Sequence, residues 1–397
     1  MCWHGDGAGF HLNSEAQAAD RPPPGRGEAG VLTIELFFDL VFVFTITQLT
    51  SLLVAETSWT GLARVVLIFG NVWWMYDGYA WLTNAVPPVA VTLRVLMLVG
   101  MIGFLVVALA IPRAFGSSGV AFGVGYLIVT ALQTGLFLRS SHEGTVRAIK
   151  RLGLYDVMTA GLILAAGFTG GTARWVLWTA AFLLHWAFSP VAAVRDVRIR
   201  VAHFVERHSQ IVLIATGESV VAVGAGIQHE RLRTGLIVTS ILGLVVVAAL
   251  WWLYFDGEDV RARHALDAAP ATRRPWLALL AFGYAFVPLL GGITVLAAGI
   301  KETTVRSGVP ATGTIAWLLG AGTALYIAAV VSIRAILRSG PLLPRLGIAA
   351  AALVTVIAGL QVSPELQLGL LAVVVAGGIG LERLSGMSME YWAHGQS

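Results

Sequence analysis

Glu35 and Asp39 stand four residues apart in Val31-Leu-Thr-Ile-Glu-Leu-Phe-Phe-Asp-Leu-Val-Phe-Val-Phe-Thr-Ile-Thr-Gln-Leu-Thr50, a stretch otherwise apolar enough to cross a membrane. Glu218 lies some fifteen residues into another such stretch, within Ile214-Ala-Thr-Gly-Glu-Ser-Val-Val-Ala-Val-Gly224. The chemistry open to carboxylates there is the binding of a cation or the carriage of a proton. A charged side chain in a bilayer costs roughly 2.5–3.5 kcal/mol on insertion scales, so those retained face a protein interior, a partner or a water pathway. The i, i+4 spacing puts Glu35 and Asp39 on one helix face. Glu35, a first-turn acid, also gains from the positive end of the helix dipole. Asp39 is a turn deeper and reads either as a packing residue or as a cation or proton site. Glu218, with small neighbours Gly217, Ser219 and Ala222 that let another helix approach, reads either as a proton carrier or as a neutral, hydrogen-bonded structural residue.

Other polar residues carry weaker signals. His203 and His208 are five apart and fit no metal-ligand spacing, while Glu206 and Arg207 at the start of their span read first as topology residues. His185 is a lone histidine in an apolar run, more often a packing residue than a ligand; Asn71, Tyr155 and Asp156 could line a path or bond a neighbour. The pairs Trp73-Trp74 and Trp251-Trp252 suit an aromatic belt at a membrane boundary. Gly320-Ala-Gly322 and Gly377-Gly378-Ile-Gly380 suit close helix packing. No phosphate loop, His-Glu-x-x-His or Gly-x-Ser-x-Gly motif occurs, so no catalytic residue, metal or cofactor is expected and the chain does not read as an enzyme. The single cysteine, Cys2, excludes an intrachain disulfide.

The elements that must position these residues follow from composition. The 397 residues are 57% hydrophobic and 12% charged, with a mean hydropathy of +0.79; an ordinary soluble domain is about 25% charged. This is the composition of an all-α polytopic membrane protein. At about 20 apolar residues per crossing, the chain divides into roughly twelve spans, near 31–54, 59–82, 88–111, 119–138, 152–169, 172–194, 204–227, 234–255, 276–300, 311–337, 342–360 and 364–384. The short turn at Gly167 to Thr172 leaves a re-entrant hairpin as the competing reading of the fifth and sixth. Residues 1–30 read as a disordered cytoplasmic leader without a signal peptide, 195–203 as a basic cytoplasmic linker and 385–397 as a cytoplasmic tail. The net charge of +4 comes from short clusters between spans, not from a nucleic-acid-binding face. With both termini cytoplasmic, about seventeen Lys and Arg fall on the inner side and about six on the other, in accord with the positive-inside rule.

The chain also repeats itself. Asp39-Leu-Val-Phe-Val-Phe-Thr45 aligns with Gln210-Ile-Val-Leu-Ile-Ala-Thr216, Glu35 with Glu206, and Thr47-Gln48 with Glu218-Ser219; one span later, Trp73-Trp-Met-Tyr-Asp77-Gly aligns with Trp251-Trp-Leu-Tyr-Phe-Asp256-Gly. Six spans separate the copies, which gives two parallel six-helix repeats, 31–194 and 204–384, with a site at their interface. Glu35, Asp39, Asp77, Glu206, Gln210 and Asp256 are then expected to form an acidic ring on the cytoplasmic side. Arg94 and Arg273 are its expected counter-ions, tying helices by pairing with Asp77 and Asp256.

In Glu35-Leu-Phe-Phe-Asp-Leu-Val-Phe-Val-Phe-Thr-Ile-Thr-Gln-Leu49, followed by Glu206-Arg-His and Ile214-Ala-Thr-Gly-Glu-Ser-Val-Val-Ala-Val-Gly224, the chain resembles the bacterial low temperature requirement A family over nearly all its length after the leader. The resemblance implies a multi-pass protein of the bacterial cell membrane, associated by name with growth in the cold. It also marks a departure: Tyr284-Ala-Phe-Val-Pro288 has Phe286 where the family tends to carry histidine, so a proton or metal role there is not expected. The leading expectation is a transporter or ion-conducting protein. Glu35, Asp39, Thr47, Gln48, Glu206, Gln210, Glu218 and Ser219 are the candidates for its path, with the lipid bilayer and a small ion or solute as partners. The alternative is a membrane sensor or scaffold that does not transport.

Overall fold

The computed structural model describes residues 31–138, 143–193, 198–226, 234–305 and 313–384, and these fold as helices. The leader 1–30, residues 195–197 of the linker and the tail 385–397 lie outside the described residues. Lipid offers the backbone no hydrogen-bond partners, so a run of apolar residues must satisfy its own amides, and the helix is the way a single segment does so. In chain order the helices are α1 (Thr33–Ala55), α2 (Trp59–Ala85), α3 (Val91–Ala110), α4 (Gly119–Phe137), α5 (Glu143–Gly167), α6 (Gly171–Ala193), α7 (Val201–Gly226) and α8 (Thr234–Phe255). They continue with α9 (Glu258–Ala268), α10 (Arg274–Ala278), α11 (Phe286–Val305), α12 (Gly313–Leu337), α13 (Leu343–Gln361) and α14 (Pro364–Leu384). Among the described residues, eight helical segments are long and apolar enough to cross a membrane: 33–55, 91–113, 119–137, 234–268, 274–305, 313–337, 343–361 and 364–384.

Local chemistry sets the boundaries. Ser58 caps α2 by accepting the Gly61 N–H at 3.1 Å, and Ser363 does the same for Leu366 at the start of α14, also at 3.1 Å. Gly257, at φ 104°, supplies the left-handed residue that turns α8 into α9. That short helix, polar and therefore invisible to a hydropathy ruler, was not expected from the sequence. Helices α5 and α6 have 25 and 23 residues joined through residues 168–170 and pack along each other. The apolar part of α5 runs over Gly153–Gly167.

At the centre, α1, α7 and α11 are in mutual contact. Around them α3 packs on α1 and α4, α2 on α4, α6 and α7, and the series α11 to α14 packs each helix on the next. Between α10 and α11 the chain makes a π-helical turn, Leu279–Tyr284. The indole N–H of Trp73 donates to the Gly283 carbonyl there at 2.7 Å, so the irregular turn is tied to α2 by a buried side chain. Trp73 is fully buried, whereas Trp251 and Trp252 are exposed; only the second Trp-Trp pair lies at a surface, as a belt requires. A close backbone approach joins α11 to α12. A Cβ on Gly292 would lie 2.6 Å from the Tyr326 nitrogen, and one on Gly322 would lie 2.6 Å from the Leu296 nitrogen.

Candidate functional site

Helix α1 presents Glu35 and Asp39 inward, both completely buried, and the group that meets them is Arg207 of α7. One guanidinium nitrogen lies 3.0 Å from Glu35 Oε1, and the other donates to Asp39 Oδ1 at 3.0 Å. Tyr76 of α2 donates its hydroxyl to the same Asp39 oxygen at 2.9 Å. Thr83 accepts from Arg207 at 3.1 Å, and the guanidinium lies near the Phe38 and Tyr76 rings. Asp39 Oδ2 and Arg207 Nε are buried without a hydrogen-bond partner.

Two histidines complete the cluster. Asn84 Oδ1 accepts the Arg200 N–H at 3.0 Å, which turns the Asn84 amide nitrogen toward the Arg200 carbonyl at 2.9 Å and toward His203 Nδ1 at 3.4 Å. The other ring nitrogen of His203, Nε2, donates to Glu35 Oε2 at 3.1 Å. His208 differs. Its Nδ1 lies 2.8 Å from the Phe204 carbonyl and its Nε2 3.1 Å from Asp77 Oδ1, so both neighbours are acceptors. His208 thus joins α7 to Asp77 of α2. Trp81 donates to the other Asp77 oxygen at 3.1 Å. Glu35 and Asp39 thus share one guanidinium in a fully buried place, with His203 on the other oxygen of Glu35.

The second acid site lies further along the same helices. Glu218 of α7 interacts with the Thr47 side chain of α1 and with the charge of Lys301 on α11, and its Oε1 is buried without a hydrogen-bond partner, as is the Ser219 hydroxyl. Asp39 and Thr47 are eight residues apart, about 12 Å along α1. Aromatic rings fill the intervening layer: Phe42 stacks on Tyr76 at 4.1 Å, and Trp73 stacks on Phe286 at 6.1 Å. Phe286, at the position where histidine was the family expectation, meets His208 edge-on at 5.3 Å and adds no polar group.

Several sequence expectations require correction. The acidic ring is broken. Glu206 is exposed and, with Gln210, lines a cleft of about 320 Å³ against Asp259 and Arg263 of α9, away from Asp39. One residue of helix advance, about 100°, separates Glu206 from Arg207, and that rotation decides which of them faces α1. Arg94 does not pair with Asp77; it is exposed at the start of α3 and donates to the Pro88 carbonyl at 3.1 Å. Asp256 pairs with Arg383 of α14, and Arg273 is exposed. Gly217 admits no close helix, since nothing lies within 4 Å of a Cβ built there. Thr47 also donates to its own helix at Val43, at 3.4 Å, and Gln48 is half-buried. The residues that sequence reasoning missed are Arg207, His203, His208, Tyr76 and Asn84. A usable signal existed in the i, i+4 spacing of His203 and Arg207, which matches that of Glu35 and Asp39 on the facing helix.

Two further polar clusters stand apart. Buried Glu258, Arg334, Arg345 and Glu382 join α9, α12, α13 and α14, with Arg334 Nε donating to Glu258 at 2.9 Å and Arg345 Nε to Glu382 at 2.7 Å. His185 bridges Asp156 at 3.1 Å and Tyr126 at 3.3 Å, so three of the first half's helices are tied by one histidine. Among the described residues, no group of three or more His, Cys, Asp or Glu side chains could hold a metal ion.

Comparison with known proteins agrees with this arrangement in extent. The chain is 29% identical over 282 residues to the uncharacterized protein RA0937 of Rhizobium meliloti (strain 1021), a match covering 67% of each chain. The family model described as bacterial low temperature requirement A protein (LtrA) matches residues 30–379, taking in both acid-bearing central helices and every helix packed around them. The chain therefore belongs to the LtrA family.

Proposed function

We propose that this protein is a transporter or ion-conducting protein of the bacterial cell membrane, built from two parallel six-helix repeats, that passes a proton or small cation between α1 and α7. The observation that carries this reading is the pair of fully buried carboxylates, Glu35 and Asp39, that share the one guanidinium of Arg207 where α1 meets α7. A buried carboxylate without its own counter-ion needs a proton or a cation. The unpartnered Asp39 Oδ2 is the atom that would take it, and Glu218 offers a second acceptor on the same axis.

Corresponding contacts in the two halves support the repeat. Helix α1 packs on α3 as α7 packs on α11; α2 packs on α6 as α8 packs on α14. On this reading both termini are cytoplasmic, twelve helices cross the bilayer, and no residue is catalytic. The test is flux in liposomes. Reconstituted wild type should dissipate an imposed gradient of H⁺, Na⁺ or K⁺ faster than protein-free vesicles, and Asp39→Asn and Glu218→Gln should each remove most of that excess. Wild type and both variants at the protein-free rate, or all three equally active, would remove the assignment.

A second reading, a membrane sensor or scaffold that does not transport, draws on the aromatic layer between the two acid sites, where Phe42, Trp73, Tyr76 and Phe286 pack ring against ring. In a transporter this layer has to open, whereas in a scaffold it stays shut.

A further inference from the structure

At the end of the bundle opposite Glu35, where α1 gives way to α2 and α3 ends in the turn Ile111–Arg113, there is a cavity of about 290 Å³. Its walls include Glu56, Arg64, Pro112, Arg113, Phe115 and Ser117. Arg64 commits one guanidinium nitrogen to both Glu56 oxygens, at 2.7 and 2.6 Å, and lies 5.6 Å from the centre of the Phe115 ring. Its Nε is buried with no hydrogen-bond partner. Arg113 is exposed at the same cavity. Nearby, Arg174 fixes the wall by donating to the carbonyls of Phe115, Thr169 and Ala166.

The cavity is therefore walled by two guanidinium side chains and a hydroxyl, with a carboxylate already matched by Arg64. Guanidinium forks suit phosphate oxygens, and the carboxylate and serine suit an alcohol. The surroundings say where that phosphate comes from. Trp59 is 87% exposed and Phe168 73% exposed at this end of the bundle, as aromatic residues are at headgroup level. Below the cavity, Ile102, Leu105 and Leu109 form an exposed apolar strip on α3, positioned for an acyl chain. We infer that this cavity is a binding site for the phosphodiester headgroup of a membrane phospholipid, with the phosphate on Arg113 and Arg64 and the acyl chains along α3. This inference is independent of whether the protein transports anything.

The test titrates full-length protein in maltoside micelles with dihexanoyl phosphatidylglycerol and reads the thermal unfolding midpoint. Wild type should show a saturable rise. Arg113→Gln should raise the half-saturating lipid concentration about tenfold while leaving the lipid-free midpoint in place, because the side chain is exposed. Ser117→Trp, which fills the cavity without touching either arginine's charge, should give the same loss. Arg94→Gln, at the opposite end of the same helix, should titrate like wild type. The inference is overturned if Arg113→Gln and Ser117→Trp both titrate like wild type, or if Arg94→Gln weakens binding as much as Arg113→Gln. It is equally overturned if dihexanoylglycerol, which lacks phosphate, reproduces the rise, or if inorganic phosphate does so at the same concentration, which would make it an anion site only.

Discussion

Arg207 is the residue on which the buried cluster depends, because it is the guanidinium that both α1 carboxylates share. Removing one partner of a buried ionic group leaves uncompensated charge and costs about 3–5 kcal/mol. Arg207→Met should therefore lower the thermal unfolding midpoint in detergent sharply, and an unchanged midpoint would contradict the pairing. Asp39→Asn should be much milder, since an amide oxygen can still accept from Tyr76 and Arg207. The buried contact of His208 with Asp77 at 3.1 Å predicts coupling between them. In a double-mutant cycle of His208→Gln and Asp77→Asn, the two losses should fail to add by about 0.5–3 kcal/mol; simple additivity would mean that the pair does not interact. The acids of this cluster were legible in the sequence because charge stands out against an apolar run. Their partners were not. Arg207 sits beside Glu206 near a span boundary, where arginine is ordinary, and nothing in one sequence reports which of two adjacent residues the helix turns inward.

At the scale of helices, the ends and periods of α1, α4, α8 and α14 could be read almost to the residue, since an apolar run has to close its own backbone hydrogen bonds. Helix α9 and the π turn at Leu279–Tyr284 could not. The first is polar, and the second depends on a Trp73 indole supplied from α2, a contact 210 residues away. The glycine pattern was half informative. Gly322 is pressed against the α11 backbone, while Gly217 faces open space. Gly322→Val should destabilise the protein by about 1–3 kcal/mol through overpacking, and Gly217→Ala should be neutral or slightly stabilising, since alanine is the better helix former. Equal unfolding midpoints for wild type and both variants would show that α11 and α12 are not packed backbone to backbone.

For the whole molecule, the positions that two short alignments pair are not chemically equivalent. The position of Asp39 is taken by Gln210, which faces α9. The second half holds a separate buried network of Glu258, Glu382, Arg334 and Arg345, with Arg261 also on Glu258, which ties four helices together. At the central contact of α1 with α7 two buried carboxylates share one guanidinium, and that arrangement is the basis for placing an ion path at the centre. The most direct test is gradient-driven flux in proteoliposomes for wild type and Asp39→Asn, prepared so that their unfolding midpoints agree. The account predicts that wild type carries a proton or small cation and that Asp39→Asn, equally well folded, falls to the rate of protein-free vesicles. Equal flux from the two proteins would contradict it.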